Sequence, residues 1–326
     1  MARTAVRLRR ASFLVVVALA TVGCENVLDV QLPNVIPPDR LEGEAGAAAL
    51  YHGALGQFAE SWSGGGSLPG RVLISGLLSD EYQSTANLTQ FQDLDRRDAR
   101  SDQFLVGLGY ELLHRARHGL EDGARRMHDM ILRPEDDPRI GKMWALSGFV
   151  HVALAEDYCD GITISHFPDS GAPVFGDPLT RAEVLRLSLG RFDSAATWSA
   201  GDADVESLAR LGKARALLNL GDFEAASASA TAVLDGFAYA NEHGDATRNL
   251  WNSVYYLGQV FRRWSVAEGE GGNGLPYRTA LDPRVPVEAE PSPGNEATVD
   301  SYAYLGYSAR ADPFLMADDV DARLIE

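Results

Sequence analysis

Two pairs of adjacent carboxylates, Asp80-Glu81 and Glu156-Asp157, are the first residues whose types could do chemistry. Glycoside hydrolysis needs two acids across a sugar. With 46 acidic residues in the chain, adjacent pairs arise by chance, so these read as solvated or capping side chains. His114 and His118 lie at i,i+4 on a helical pattern and could grip a metal. No nearby third ligand is evident, and a surface pair is the simpler reading. The Gly-rich run 269–274 contains acid and no lysine, so it would repel phosphate. Glu268, Glu270 and Asn273 could offer oxygens to Ca²⁺, but their spacing is not that of an EF-hand and a plain loop is expected. Cys159 reads as a buried small side chain at a helix end. No His-Glu-x-x-His, Gly-x-Ser-x-Gly or P-loop pattern occurs, so no catalytic residue and no cofactor is assigned.

The aromatic residues are the stronger candidates. Sugars present apolar C–H faces that stack on Trp and Tyr rings, while amides and carboxylates bind their hydroxyls. Trp62, Tyr82, Trp264, Tyr302 and Tyr304 sit in or beside segments that read as loops, and they are the candidate ligand contacts. Trp251, Tyr255, Tyr256 and Tyr307 share that texture.

Such residues need a scaffold. The 326 residues suffice for one large domain or two small ones, and 45% hydrophobic content fits a packed globular chain. A formal charge of −17 excludes the cationic footprint of a nucleic-acid binder and would repel an anionic membrane surface. Only Lys142 and Lys213 among 29 basic residues are lysines. Two cysteines exclude a disulfide-dense scaffold and a Cys-rich zinc site.

Residues 1–23 read as a bacterial export signal. Arg3, Arg7, Arg9 and Arg10 precede the apolar run 11–20, which is about half the length needed to span a bilayer. Val22-Gly23-Cys24 resembles a lipobox, with Thr21 where Leu is usual, so Cys24 is the expected lipidation site. Ordinary cleavage after Ala18-Leu19-Ala20 is the alternative. Removing residues 1–23 takes away four arginines and no acid and lowers the charge to −21.

Residues 24–38 then read as an extended, Pro-punctuated tether. A first helix follows from the Pro37-Pro38-Asp39 signal, with Leu41, Ala48, Tyr51, Leu55 and Phe58 on one face. A short helix or irregular segment is expected over 71–92. Longer helices are expected over about 102–130, with Phe104, Leu108, Leu112, Ala116 and Leu120 inward, and over about 138–158. A fourth opens at Pro178-Leu179-Thr180, with Leu185, Leu189, Phe192 and Ala196 inward. In 204–235 the stripe Leu208, Leu211, Arg215, Leu218 leads through Asn219-Leu220-Gly221-Asp222 to Phe223, Ala226, Ala230 and Val233. Two amphipathic helices joined by a tight turn resemble a tetratricopeptide repeat. Gly148 and Ala155 mark close-packing positions on the 138–158 helix. A single helix pair cannot bury its core, so several must stack. Residues 251–307 turn aromatic-, Gly- and Pro-rich, the texture of loops and short strands. Residues 318–326 read as the start of a helix.

Several of these segments together resemble the SusD/RagB-type lipoproteins. They are Cys24-Glu25-Asn26-Val27-Leu28-Asp29-Val30 with Pro33, Ala155-Glu156-Asp157-Tyr158-Cys159-Asp160-Gly161-Ile162, and Asp177-Pro178-Leu179-Thr180-Arg181-Ala182-Glu183-Val184 followed by Phe192-Asp193-Ser194-Ala195. Asp282-Pro283-Arg284 and residues 321–326 add to the likeness. The resemblance implies a mostly α fold: a right-handed tetratricopeptide-like scaffold of helix pairs with loop-rich, aromatic-rich insertions and few short strands. Residues 39–326 would form one such domain, incomplete at its C-terminal end because family members continue there. The implied role is non-enzymatic. It is a lipid-anchored outer-membrane protein that binds a nutrient, often an oligosaccharide, and forms the lid of a TonB-dependent (SusC-like) transporter. Two other function classes compete with it: a tetratricopeptide-type envelope scaffold that holds proteins, and a secreted glycoside hydrolase.

Overall fold

The computed structural model describes residues 42–326, apart from 169–170, 273 and 297–298. The signal segment, Cys24, the tether and the start of the first expected helix lie outside the described residues.

Long helices dominate: α1 (Gly43–Ser63), α4 (Phe104–Met130), α5 (Pro138–Asp157), α6 (Arg181–Thr197) and α7 (Ala203–Leu220). Each packs on the next in the chain, α1 on α4, α4 on α5, α5 on α6, α6 on α7, and α7 on the short α8 (Phe223–Ala230). This is the helix-pair stacking expected of a tetratricopeptide-like scaffold. The turns between pairs follow local chemistry. Thr180 and Glu183 form a capping box at the start of α6, each side chain accepting from the other's backbone N–H. Gly221 ends α7 at φ +80°, a left-handed value that costs glycine little. Asp222 then accepts from Ala225 N–H to open α8.

α5 lies at the centre and is buried on nearly every side from Ile140 to Ala155. Small residues allow the close approach. An added Cβ at Gly148 would sit 2.5 Å from the Phe192 ring, and one at Gly212 would sit 2.2 Å from it. Within this core lies one polar cluster. Glu121 accepts from Arg117 (3.0 Å), Arg191 (2.9 Å) and the Ser147 hydroxyl (3.0 Å). Burial opposes ionisation of Glu121, yet His151 and the two guanidiniums outweigh it and hold its carboxyl below the usual range. His151 is fully buried and donates from Nδ1 to the Ser147 carbonyl at 2.8 Å. Burial pushes its imidazole down to about 4.

Several expected inward positions point outward. Phe104 is 60% exposed, Leu218 40% and Phe223 68%. On α4 the buried set is Leu105, Leu112, Leu113, Ala116, Leu120, Ala124 and Met127, one residue out of phase with Phe104 at its start. On α6, Ala195 is buried and Ala196 exposed. α7 is contacted by α5, α6 and α8, so its buried residues Val205, Leu208, Ala209, Leu211, Gly212, Ala214, Ala216 and Leu217 wrap most of the helix. Leu218 falls in the sector left over. The last segment folds back: β8 (Phe314–Asp318) pairs antiparallel with β4 (Ala238–Asn241), and α9 (Asp319–Ile325) buries Ala322 against α7 and α8.

A second apolar cluster sits apart from the helical core. Two short helices, α2 (Arg71–Leu78) and α3 (Thr89–Asp95), contribute Leu73, Ile74, Leu77, Phe91 and Leu94. The loop half of the chain contributes Val254, Leu257, Trp264 and Val266. The remaining strands are short: β1 (Tyr82–Ser84) with β5 (Trp264–Val266) and β6 (Ser292–Pro293) with β7 (Asp300–Ser301), and, beside the helical core, β2 (Ile162–Thr163) with β3 (Pro178–Leu179), all antiparallel. Among the described residues no helix is long and apolar enough to cross a membrane.

Candidate functional site

β5 is the axis of the aromatic region. Tyr82 pairs with Val266, and Ser84 with Trp264, which brings a residue next to α2 against one from the late loops. On the other side of β5, Val266 N–H donates to the Tyr302 carbonyl at 3.0 Å, and Tyr302 N–H donates to the Ser265 hydroxyl at 2.8 Å. The chain continues through Tyr304, which bridges Val287. Gln259 fixes the next turn by donating to the carbonyls of Tyr304 and Tyr307 at 2.8 and 2.7 Å. Arg262 and Glu288 brace the segment through two bonds of 2.8 and 2.7 Å, and Glu288 also accepts from Ala303 N–H.

Four of the five candidate aromatics therefore come together: Tyr82, Trp264, Tyr302 and Tyr304. Their exposure separates them. Trp264 is 1% exposed, with its ring centroid 4.3 Å from that of Tyr82 and its other flank on Gly258. It is a packing residue under the site. Tyr82, Tyr302 and Tyr304 are half-buried and keep accessible surface. The Arg278 guanidinium lies 4.0 Å above the Tyr302 ring. Tyr304 meets Tyr307 edge-on at 5.7 Å, and Tyr307 stacks on Phe314 at 6.1 Å.

Trp62 is elsewhere. α1 continues through Ser63, which places Trp62 one turn beyond Phe58 and inside the helical core. It stacks on Phe58 at 5.4 Å, meets Phe149 edge-on, and carries the Arg71 guanidinium 4.9 Å above its ring. At 4% exposure it offers no open face.

Sequence reasoning passed over Tyr277 and Arg278. Tyr277 packs on the same cluster as Tyr82, Tyr304 and Tyr307. Burial is the main cause that raises all four phenols above their ordinary value, with Glu81 adding to the shift of Tyr82 and Tyr277. All four stay protonated at neutral pH and can donate hydrogen bonds. The one available signal was an isolated Tyr-Arg pair in a Gly- and Pro-rich loop.

The remaining chemical candidates take structural places. Glu268 accepts from the backbone N–H groups of Arg278 and Thr279 and from the Thr279 hydroxyl, so it organises the loop that carries Tyr277 and Arg278. Asn273 lies outside the described residues. Asp80 pairs with Arg97. Glu156 and Asp157 are not caps but members of an ion-pair network, with Glu156 half-buried and Asp157 exposed. They bind Arg71 together, and Glu156 also takes two bonds from Arg215 and one from Asn219. His114 is no surface residue: its ring lies 4.4 Å from Tyr110 and burial pushes its imidazole down to about 4. His118 instead sits against Phe167. Cys159 is exposed, because α5 ends at Asp157 and the chain has already left the core.

No protein-family model matches this chain, and no curated protein does. Solved structures do. A SusD/RagB family protein from Bacteroides thetaiotaomicron superposes over 86% of this chain and 66% of its own length, at 13% identity and a TM-score of 0.61. A SusD-like carbohydrate binding protein from Bacteroides vulgatus covers 87% and 70%, at 12% identity and 0.58. A SusD superfamily protein from the same species covers 87% and 74%, at 12% identity and 0.59. The fold of this chain is thus that of the SusD/RagB proteins, and the chain spans about two thirds of the length of the first of them.

Proposed function

We propose that this chain is a nutrient-binding protein of the SusD type and not an enzyme. Its cargo in this reading is a neutral oligosaccharide, and its site is the surface formed by Tyr82, Tyr302 and Tyr304 with Tyr277 and Arg278. The observation that carries the reading is a conjunction. A SusD/RagB fold extends over most of the chain, and half-buried tyrosines from two distant segments, at Tyr82 and Tyr302, meet on β5, with Tyr277 packed on the same cluster as Tyr82. Rings held by packing from below lose little entropy on meeting a sugar face, and protonated phenols can bond its hydroxyls. The net charge of −17 disfavours acidic glycans.

The finer parts of the reading concern anchoring and partner. Cys24 carries the lipid, residues 25–38 are the tether, and the body sits at the outer membrane as the lid of a TonB-dependent barrel. Capture beside a barrel mouth raises the local concentration of a nutrient too large for porins. Affinity purification of acylated protein from outer membranes should recover a TonB-dependent receptor. Deleting the gene should impair growth on one polymer and spare growth on its monomers. Recovery of envelope-assembly proteins in place of a barrel, with uptake of every polymer unchanged, would favour the scaffold reading. Intact-mass analysis should find Cys24 acylated at the N-terminus; an unacylated start at Thr21 would refute the anchor.

A further inference from the structure

A second concave site lies on the helical scaffold, between the C-terminal half of α4, the start of α5 and the end of α6. Its cavity of about 310 Å³ falls within the range of about 300–1,000 Å³ typical of small-molecule sites. Two half-buried tryptophans, Trp144 and Trp198, supply aromatic walls, and Asp122, Arg125, Arg126 and Asp129 supply a polar edge.

Both rings are held from outside the cavity. Trp198 is the C-cap of α6, its backbone N–H bonded to the Ser194 carbonyl at 3.0 Å. Its own carbonyl lies so close to α5 that a Cβ added at Gly141 would sit 2.5 Å from it. Trp144 follows Gly141 by three residues, so both lie on one side of α5. The Arg191 guanidinium lies 5.4 Å from the Trp144 ring and is itself fixed by Glu121 at 2.9 Å. His128 meets Trp198 edge-on at 5.0 Å and bonds Asp129 at 2.9 Å. Among the described residues neither indole N–H has a protein partner, and neither is buried, in contrast to those of Trp251 and Trp264.

The charged edge is balanced but loosely joined. Asp122 stands 3.7 Å from Arg125 and 3.6 Å from Arg126, beyond hydrogen-bond distance. Arg125 donates one N–H to the Glu121 carbonyl at 3.2 Å and keeps its others for a ligand. Donors and acceptors thus stand side by side, and two acids against two guanidiniums favour neither an anion nor a cation. A hydroxyl both donates and accepts, so it suits such an edge, and the C–H face of a sugar suits an indole ring. Asp122, Arg126 and Asp129 also border a neighbouring hollow of about 490 Å³ walled by Phe167, which is 50% exposed. A glycan longer than the first cavity can continue there.

We propose that this is a second carbohydrate site, in which Trp144 and Trp198 stack on a neutral pyranose while Asp122, Arg125, Arg126 and Asp129 bond its hydroxyls. The ligand class follows from this lining, none of which belongs to the tyrosine surface.

The test starts from Tyr302→Ala/Tyr304→Ala, so that the tyrosine surface is disabled. Maltohexaose, cellohexaose, mannohexaose and xylohexaose are titrated by saturation-transfer NMR, with tetramethylammonium and benzoate as competing chemistries. At least one sugar should still bind, weakly, because the polar edge is open to water. Adding Trp198→Ala should weaken that binding about tenfold or more. Adding Arg126→Gln, at a side chain 38% exposed, should weaken it with the melting temperature unchanged. The bound sugar should shield Trp144 and Trp198, but not Trp251, from oxidative footprinting read by mass spectrometry. Affinity unmoved by Trp198→Ala, no shielding of either ring, or tighter binding of tetramethylammonium or benzoate than of any sugar would each overturn the proposal. If the unaltered protein binds a sugar and the tyrosine variant binds none, the second site is refuted and the tyrosine reading stands. If neither protein binds any of the four, both are refuted. If Trp198→Ala melts early, Arg126→Gln and the footprint decide.

Discussion

The helical core and the β5 region bury apolar surface by opposite means. In the core, small side chains let helices touch: Ala47, Ala54, Ala116, Ala124, Ala145, Ala153, Ala155, Ala214 and Ala216 are all buried. In the β5 region, short strands and irregular chain cannot interlock so closely, and large rings fill the space: Phe91, Trp264, Tyr82, Tyr304, Tyr307 and Phe314. Helix pairs make a rigid body from local sequence contacts. The aromatic region is assembled from segments near residues 82, 264, 277 and 302, and its side chains remain partly open. A surface that binds something is more readily built in the second way, on a support built in the first.

The two regions should break differently. The largest effect is expected at Gly212, where a side chain would collide with Phe192 and Phe149. Gly212→Val should cost more than about 4 kcal/mol and prevent isolation of folded protein. A soluble variant with a normal melt would refute the close helix packing.

Trp264→Ala removes the buried ring beneath the tyrosines and should cost about 3–5 kcal/mol. Its far-ultraviolet circular dichroism should stay helical while the environment of the tyrosines, read by near-ultraviolet signal, collapses. Loss of both signals together would show that the two regions fold as one unit. Leu208→Ala, in the core, should cost about 2–5 kcal/mol and reduce both signals.

Acid sharpens the comparison, since His151 belongs to the core alone. Its folded-state value of about 4 lies below the ordinary 6.5, so the unfolded chain takes up the proton first as pH falls. The stability it contributes is complete above 6.5 and is lost between 6.5 and about 4. For this fully buried group the loss is roughly 3 kcal/mol. His114 acts in the same window and the same direction. His151→Gln should flatten the dependence of melting temperature on pH over that range; an unchanged slope would mean that His151 is not the titrating group.

The smallest effects are expected where the helical stripe misleads. Leu218→Ala and Phe223→Ala alter exposed side chains and should each change stability by less than about 0.5 kcal/mol. A loss above about 2 kcal/mol at either would place it in an interface.

These contrasts also explain what could be read from the chain. Features set by neighbouring residues were legible: the Thr180–Glu183 box, the Gly221-Asp222 turn, Gly148 as a close-packing position, and helix spans correct to within a few residues. Inward faces were harder, because a helix touched on three sides buries several stripes. That is why Leu217 is inside and Leu218 outside. Trp62 was misread because Gly64 made its segment look like a loop, while the helix runs on to Ser63. Tyr277 and Arg278 left almost no trace. Their importance comes from contacts with Tyr82 and Tyr302, which no local periodicity encodes. The ion network of Glu156 and Asp157 was equally hidden, since it depends on Arg71 from α2 and Arg215 from α7.

The central claim is that the tyrosines around β5 bind a neutral glycan. The most direct test is calorimetric titration of a panel of neutral oligosaccharides into the protein and into Tyr302→Ala/Tyr304→Ala. The account predicts that at least one oligosaccharide binds the unaltered protein. It also predicts that the double variant, with its melting temperature preserved to within a few degrees, binds it about tenfold or more weakly. Unchanged affinity in the double variant, or no binding by any neutral oligosaccharide in the panel, would contradict it.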